Sequence, residues 1–571
     1  MNQPSEASNL ALRIADDAWE EVRRSLMVQI QLGAVPAHLP HISPLEAQRR
    51  SEVGRKLLER IAALKGEALS HDAALTLRVA EFRARTWSRE ADWYWVAVDP
   101  LGVGFFGMFL PTAYCGGFTL NYIHSQLGAF QFQEAGDCDR YLGLLADFAR
   151  LIGQFEARTV GQRERGMLMP RPQIASARTL LGALRAGAVA LAVAPERLAK
   201  VAAPVLTEEI SLRCRLIDAA YERLIGVFSE DYFSQAPEQV GLGQYAGGKE
   251  IYLELVKDHT TLDLTPHEVH ERGVERMTRI QESMRKIREE LQFSGDHKAF
   301  IAHLNEDPRW RADSVEGVRA VFQRYIDRLA PRFGEYFTDR PKAGYSIAPL
   351  PQSLEASMTF GYYDAPRPGR DQGLYLFNAK NLTRQSLFNI GALTYHELVP
   401  GHHLHLATQN ESRQLHPLRT HSFVNAFNEG WAEYAATFAG EIGMYEAPEE
   451  RYGRLVMDAF LTSRLVVDTG MNMLGWSLEQ ARDYMRAYSG MAETEVLTET
   501  LRYSCDIPAQ SLAYKLGDTE IMILRARMQQ ALGKRFQMQA FHAAVLESGA
   551  LPLPDLAWHI DWRIEQQQQM T

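Results

Sequence analysis

Along most of the chain, apolar residues return roughly every three to four positions, the spacing of a helix with one buried face. Residues 45–66 and 72–88 follow this pattern, with Arg, Lys and Glu on the opposite face. It resumes over 139–230, interrupted at Pro170 and Pro172, and its Ala177–Ala192 portion is Ala- and Leu-rich, which predicts a closely packed helix. Residues 235–250 are Gly-rich and polar and predict a loop. Thr265, Pro266 and Glu268 form a helix start: the threonine accepts from the N3 amide, the proline suits the first turn, and the glutamate reaches back to the cap. That helix is expected to run to about Leu291, and residues 314–338 predict another. From Leu382 to Gln568 everything reads helical except a break at Leu551–Pro554.

Two stretches depart from the helical period. Trp93–Gly102 is aromatic and poor in helix formers, and Gly102–Gly107 matches a dinucleotide fingerprint in letters. The glycines of that fingerprint open a helix inside a βαβ unit. Here the loop Phe109–Gly117 follows, so a buried turn is expected. The second departure is the one patch of strand: Tyr345–Leu350, Ser357–Tyr363 and Gly373–Asn378 carry β-branched and aromatic residues between turn signals. Gly361–Tyr363 and Leu374–Phe377 are candidates for a sheet edge that takes an extended peptide as an added strand. A seam at Asp339–Leu350 divides a helical lobe, 1–340, from a lobe of 341–571 that holds the sheet, within one continuous unit.

Composition narrows the class. With 571 residues, 46% hydrophobic and 23% charged, the chain is ordinary for a globular protein. A net charge of −10 makes nucleic acid a poor partner. Four scattered cysteines, Cys115, Cys138, Cys214 and Cys505, form neither a thiolate metal site nor a disulfide framework, and each is expected to be a small buried hydrophobe. No basic-then-apolar leader opens the chain, and the longest apolar run, Ala186–Pro195, is too short to span a bilayer. The expectation is a cytoplasmic protein without a membrane partner, its oligomeric state left open.

The chemistry concentrates in Thr394–His403 and Asn428–Tyr434. His396 and Glu397 are adjacent, as in the zinc-protease helix whose two histidines bind metal and whose glutamate is the base. Here Pro400 and Gly401 sit where the helix would continue, so His402 or His403 closes the pair. Pro400 lacks an amide hydrogen and crowds the carbonyl four residues back. A two-residue bulge would therefore move the second ligand to His402 and turn His403 about 100° away, toward substrate or toward the ligands' supporting groups. Glu429 is the expected third ligand, with Glu433, one turn on, as its rival or as a support for a ligand histidine. His267 and His270 are expected on a solvated face; the alternative for His270, from its place in a family-like block, is a position near the substrate.

The run His-Glu-x-x-Pro-Gly-His-His resembles the signature of the bacterial proteins catalogued as domain of unknown function 885. Tyr362–Gly369, Val467–Gly470, Gly475–Ser477 and Arg502–Lys515 also look like blocks of that family, so the likeness covers most of the chain. The family is similar to gluzincin metallopeptidases, and Asn428–Ala432 resembles their third-ligand segment. His405, Asn472 and Ala509 depart from the residues usual at those positions, respectively a glutamine, a histidine and a glycine. The resemblance implies a mainly α, zincin-like fold with a small sheet beside the metal helix. It also implies one zinc ion on His396, His402 and Glu429, with Glu397 as general base. Tyr503 and Tyr514 are candidate oxyanion donors in the Arg502–Lys515 block, and Arg502 and Lys515 are candidate anchors for a substrate carboxylate, with His403 also toward the substrate. The resulting expectation is a zinc metallopeptidase acting on short peptides. Its rivals are an amidohydrolase of non-peptide amides and a catalytically silent zinc-containing binding protein.

Overall fold

The structure, a computed structural model, describes residues 5–199, 201, 206–338, 340–351, 361–379 and 386–569. It is mainly helical with one three-stranded sheet. Sequence periodicity places the long helices well: Pro44–Ala62, His71–Ser88, Gly136–Glu164, Arg171–Ala188, Thr207–Val227 and Pro266–Glu290 all lie within the periodic stretches or within a few residues of them. Thr265 caps the last of these in a full capping box with Glu268. Within the Gly-rich 235–250 stretch a helix, Gly248–Thr260, already begins. One helical span, Arg171–Leu191, is long and apolar enough to cross a membrane by length and composition, yet its Ile174, Ala177, Leu181 and Leu184 are buried in the core. All four cysteines are free and buried.

The Gly102–Gly107 stretch is a turn wrapped around a carboxylate. Asp99 accepts hydrogen bonds from the amides of Leu101, Gly102 and Gly104, at 3.1, 2.9 and 2.6 Å. Amides committed to an internal carboxylate cannot cradle a phosphate.

The sheet has strand order β1-β3-β2, with β1 (Gly344–Pro349) parallel and β2 (Gly361–Asp364) antiparallel to β3 (Gln372–Phe377). The expected strand Ser357–Tyr363 is described only from Gly361 on; its first residues, like Asp339 of the expected seam, lie outside the described residues. Leu374–Phe377 is not an edge, because β3 is paired on both sides. Of the two candidate edge segments, only Gly361–Tyr363, in β2, lies at an edge of the sheet.

Residues 1–340 and 341–571 share apolar cores. One cluster packs Ile14, Val79 and Trp87 with Trp431, Phe541 and Ile560. Another gathers Phe322 and Tyr325, the sheet residue Tyr375 and Leu393 of helix Ile390–Glu397. Helix Asn425–Glu441 crosses helix Ala513–Leu532 at a pair of glycines. A Cβ on Gly430 would stand 2.6 Å from the Gly517 backbone, and one on Gly517 would stand 2.0 Å from the Ala426 carbonyl oxygen.

Candidate metal centre

Helix Ile390–Glu397 is buried along its whole length and stops where Pro400 removes a donor. The chain does not bulge and resume one helix, as the spacing predicts; it breaks completely, and a second helix runs His402–Glu411. The His403 amide donates to the Leu398 carbonyl at 3.1 Å, closing the connecting loop. A Cβ at position 401 would lie 1.9 Å from the His396 carbonyl oxygen, so this turn admits only glycine. Trp431 donates from Nε1 to the Pro400 carbonyl at 3.0 Å, fastening the loop to helix Asn425–Glu441, which also carries Glu429.

The break brings His396, His402 and Glu429 together, with one ligand atom of each within 4.8 Å of the others. The Nε2 atoms of His396 and His402 lie 3.7 and 3.3 Å from the same Glu429 oxygen. Two donors on a tetrahedral zinc with bonds of roughly 2.0–2.1 Å stand about 3.3–3.4 Å apart. Two imidazoles and one carboxylate thus fit a single small dication. The charge balance agrees. Burial would lower the His396 pKa, but Glu429 and Glu433 override it and push it up to about 10. Burial would raise the Glu429 carboxyl, yet His396 and His402 hold it well below its ordinary value. A field that holds a proton this tightly between the groups favours a dication more strongly still.

Behind the ligands lies a dense ionic network. His396 Nδ1 is 3.3 Å from Glu433 Oε2. The other oxygen of Glu433 accepts from Arg454 at 2.5 Å and from Lys515 at 3.1 Å. Burial alone would raise the Glu433 carboxyl; Arg454 and Lys515 hold it well below its usual range instead. Of the two glutamates, Glu433 stands against Nδ1 of His396, and Glu429 faces both imidazoles.

In front opens a cavity of about 380 Å³, lined by Glu397, the three ligand residues, Tyr514 and the edge strand Gly361–Asp364. Burial raises the Glu397 carboxyl above its ordinary value, against the opposing pull of His396 and His402. Tyr514 is half-buried, its ring stacked 6.1 Å from that of His396.

Three sequence expectations need correction. Tyr503 is fully buried away from the cavity, its hydroxyl donating to Glu499 and accepting from Arg464 at 2.7 Å. Lys515 has no exposed side-chain surface and is held by Glu433, Asp458 and Asp518 at 3.1, 3.2 and 2.6 Å, so it cannot anchor a substrate. His403 turns away from the cavity and toward the sheet. Its Nε2 donates to the Ala343 carbonyl at 3.1 Å, which leaves Nδ1 to accept from the Tyr363 hydroxyl at 2.7 Å. Arg502 does line the cavity.

The family departures have structural roles. His405 bonds Gln409 at 3.0 Å beneath Phe427. Asn472 accepts from the Leu242 amide and donates to the Tyr503 carbonyl, both at 2.9 Å. Ala509 adopts φ 66, left-handed backbone that favours the glycine usual at this position. His270 bonds Thr469 at 3.0 Å and packs edge-on against Trp476. Sequence reasoning passed over Arg454, Arg464, Glu499 and Gln510, all of which line the cavity. The signal was present for two of them: Arg454 and Arg464 interrupt the buried apolar face of helix Pro448–Asn472.

Two solved structures share the fold along nearly their whole length. The "putative lipoprotein" from Colwellia psychrerythraea superposes with a TM-score of 0.80 at 23% identity, covering 98% of this chain and 99% of its own. The "putative lipoprotein of unknown function" from Shewanella oneidensis gives 0.72 at 16% identity, with coverages of 97% and 99%. No curated protein matches the chain. The family model described as bacterial protein of unknown function (DUF885) matches residues 27–560, and the chain belongs to that family.

Proposed function

We propose that the protein is a zincin-like metallopeptidase hydrolysing short peptides, with one zinc ion on His396, His402 and Glu429. The observation that carries this reading is the convergence of those three groups, with Glu397 beside them, on the floor of one open cavity. Zinc on two histidines and a carboxylate supplies an acidified water at an open coordination position.

The chain's own residues supply the rest. Glu397 follows a ligand directly at the helix end and lines the cavity, so it takes the proton of the nucleophile and passes it to the leaving amine. The Tyr514 side chain, stacked beside the His396 ring, donates to the oxyanion that develops on the attacked carbonyl. Strand β2 offers an edge on the cavity wall that is unpaired among the described residues, where the main chain of an extended peptide can pair whatever its sequence. His403 steadies that edge through the Tyr363 hydroxyl. Glu433 fixes the ring of His396, and Arg454 and Lys515 fix Glu433.

The test is metal analysis of the purified chain together with digestion of a mixed peptide library by wild-type and Glu397→Gln protein. Stoichiometric zinc in both and cleavage only by the wild type are expected. Wild-type cleavage rates in zinc-replete Glu397→Gln protein would sink the assignment. Cleavage of small blocked amides without cleavage of peptides would transfer the site to an amidohydrolase.

A further inference from the structure

Arg464 and Arg502 line the cavity on the side of Tyr514. Their side chains are only 5% and 11% exposed, and one carboxylate, Glu499, stands against both, at 3.1 Å from Arg464 and 3.5 Å from Arg502. The next carboxylate in the segment, Asp506, is occupied elsewhere: it accepts from the Thr112 hydroxyl and from the amides of Tyr114 and Cys115. Among the described residues these two guanidiniums share one ion-pair partner within 4.0 Å, with Asp506 acting on Arg502 only from farther off, an imbalance that an added anion would relieve. The unmet valence is visible atom by atom. Arg464 Nη1 and Arg502 Nε are buried and have no hydrogen-bond partner among the described residues.

The surroundings hold both side chains in place. The Arg464 guanidinium lies 4.8 Å from the centre of the Tyr514 ring, and that of Arg502 lies 4.4 Å from the Tyr114 ring. Gln510 accepts from Arg502 at 2.8 Å, and its side chain also reaches Tyr514. Arg464 therefore sits one aromatic ring away from the ligand His396. A peptide residue spans about 3.3–3.6 Å, so a carboxylate one or two residues from the scissile carbonyl reaches this wall. The cavity is also lined by apolar and aromatic side chains, among them Phe105, Phe118, Tyr122 and Phe423.

We propose that Arg464 and Arg502 form an anion subsite selecting short peptides with a free carboxylate within two residues of the bond cut, and with apolar or aromatic side chains. The proposal rests on the peptidase reading for the cut itself, but the subsite can be measured without turnover. N-benzoyl-Gly-Phe and its C-terminal amide are titrated calorimetrically into zinc-loaded Glu397→Gln protein. The acid is expected to bind at least about tenfold tighter than the amide, the scale of one charge-assisted hydrogen-bonded pair. Adding Arg502→Gln should collapse that ratio toward one with little change for the amide. Arg464→Lys, which keeps the charge and loses the planar fork, should reduce it partially. Equal affinity for acid and amide, binding of neither, or a preference that survives Arg502→Gln would overturn the subsite. Wild-type protein that binds the acid selectively yet cuts neither compound would overturn the peptidase reading and leave the subsite standing. Equal cutting with equal affinity would do the reverse.

Discussion

Glu429 and Glu433 stand one turn apart on the same buried helix, and the two regions they face are built on opposite principles. Behind Glu433, every charge is met by another: Arg454, Lys515, Asp458, Asp518 and Arg276 interlock at salt-bridge distance. On the cavity side, Glu397, Tyr514 and the two arginines of the wall have surface or hydrogen-bonding capacity that the protein leaves unused. The charges of the network hold one another in place, and only Arg454 and Glu433 of it reach the cavity lining. Groups that can act on a substrate must hold some capacity in reserve. On the proposed reading, the same chain uses acidic and basic residues as scaffold on one side of a helix and as reagents on the other.

That contrast can be broken from either side. The largest expected effect is on the scaffold. Lys515→Met takes one cation from Glu433, Asp458 and Asp518 and leaves them to Arg454 and Arg276, and breaking a buried pair costs about 3–5 kcal/mol. Chemical denaturation should show a loss of that order; a variant as stable as the wild type would show that the network carries no such load. On the reagent side, Tyr514→Phe should lower kcat by about 10²–10³, the usual effect of removing one oxyanion donor, with stability nearly unchanged. Tyr503→Phe should do the opposite: it disturbs the Glu499–Arg464 pairing and the fold, and leaves the chemistry of properly folded molecules within a few-fold. If the two tyrosines exchanged these effects, the front and back would be misassigned.

Smaller effects sharpen the boundary. Glu433→Gln weakens the support behind His396 without removing a ligand, so zinc affinity should fall by about 10–100-fold. Competition with a chelator measures it, and an unchanged affinity would remove Glu433 from the metal's surroundings. The smallest effect separates the paired histidines. His402→Ala should lose the metal. His403→Ala should keep it and loosen only the Tyr363 contact that steadies β2, read as a modest rise in KM.

The long helices and the grouping of His396, His402 and Glu429 were legible in the sequence because each signal is local: a recurring apolar face, a capping box, a histidine beside a glutamate before Pro-Gly. The departures arose where one helical step decides the outcome. Tyr514 and Lys515 are neighbours in sequence, about 100° apart around a helix, so one faces the cavity and the other the ionic network. His402 and His403 divide in the same way between the ligand set and the sheet. Composition marks such pairs as important without saying which way each member points. Strand order was illegible for a different reason. Whether Leu374–Phe377 lies at the edge or the centre depends on partners outside its own segment. The complete helix break was foreshadowed by Pro400, but its form depends on the Trp431 anchor 31 residues on.

The glycine contact between the helices of Glu429 and Tyr514 has a consequence for how this site can vary. Gly430 directly follows Glu429, and Gly517 lies three residues past Tyr514. Their contact acts as a spacer gauge, fixing the separation between a proposed metal ligand and the proposed oxyanion donor at the closest approach two backbones allow. A single methyl at either glycine would have to be accommodated by moving one helix, and a misplacement of about 1 Å can cost on the order of 10² in rate. Two residues without a functional group thereby set a tolerance on the chemistry, and variation at them would be felt first as a slower reaction in a protein whose ligands are all still present.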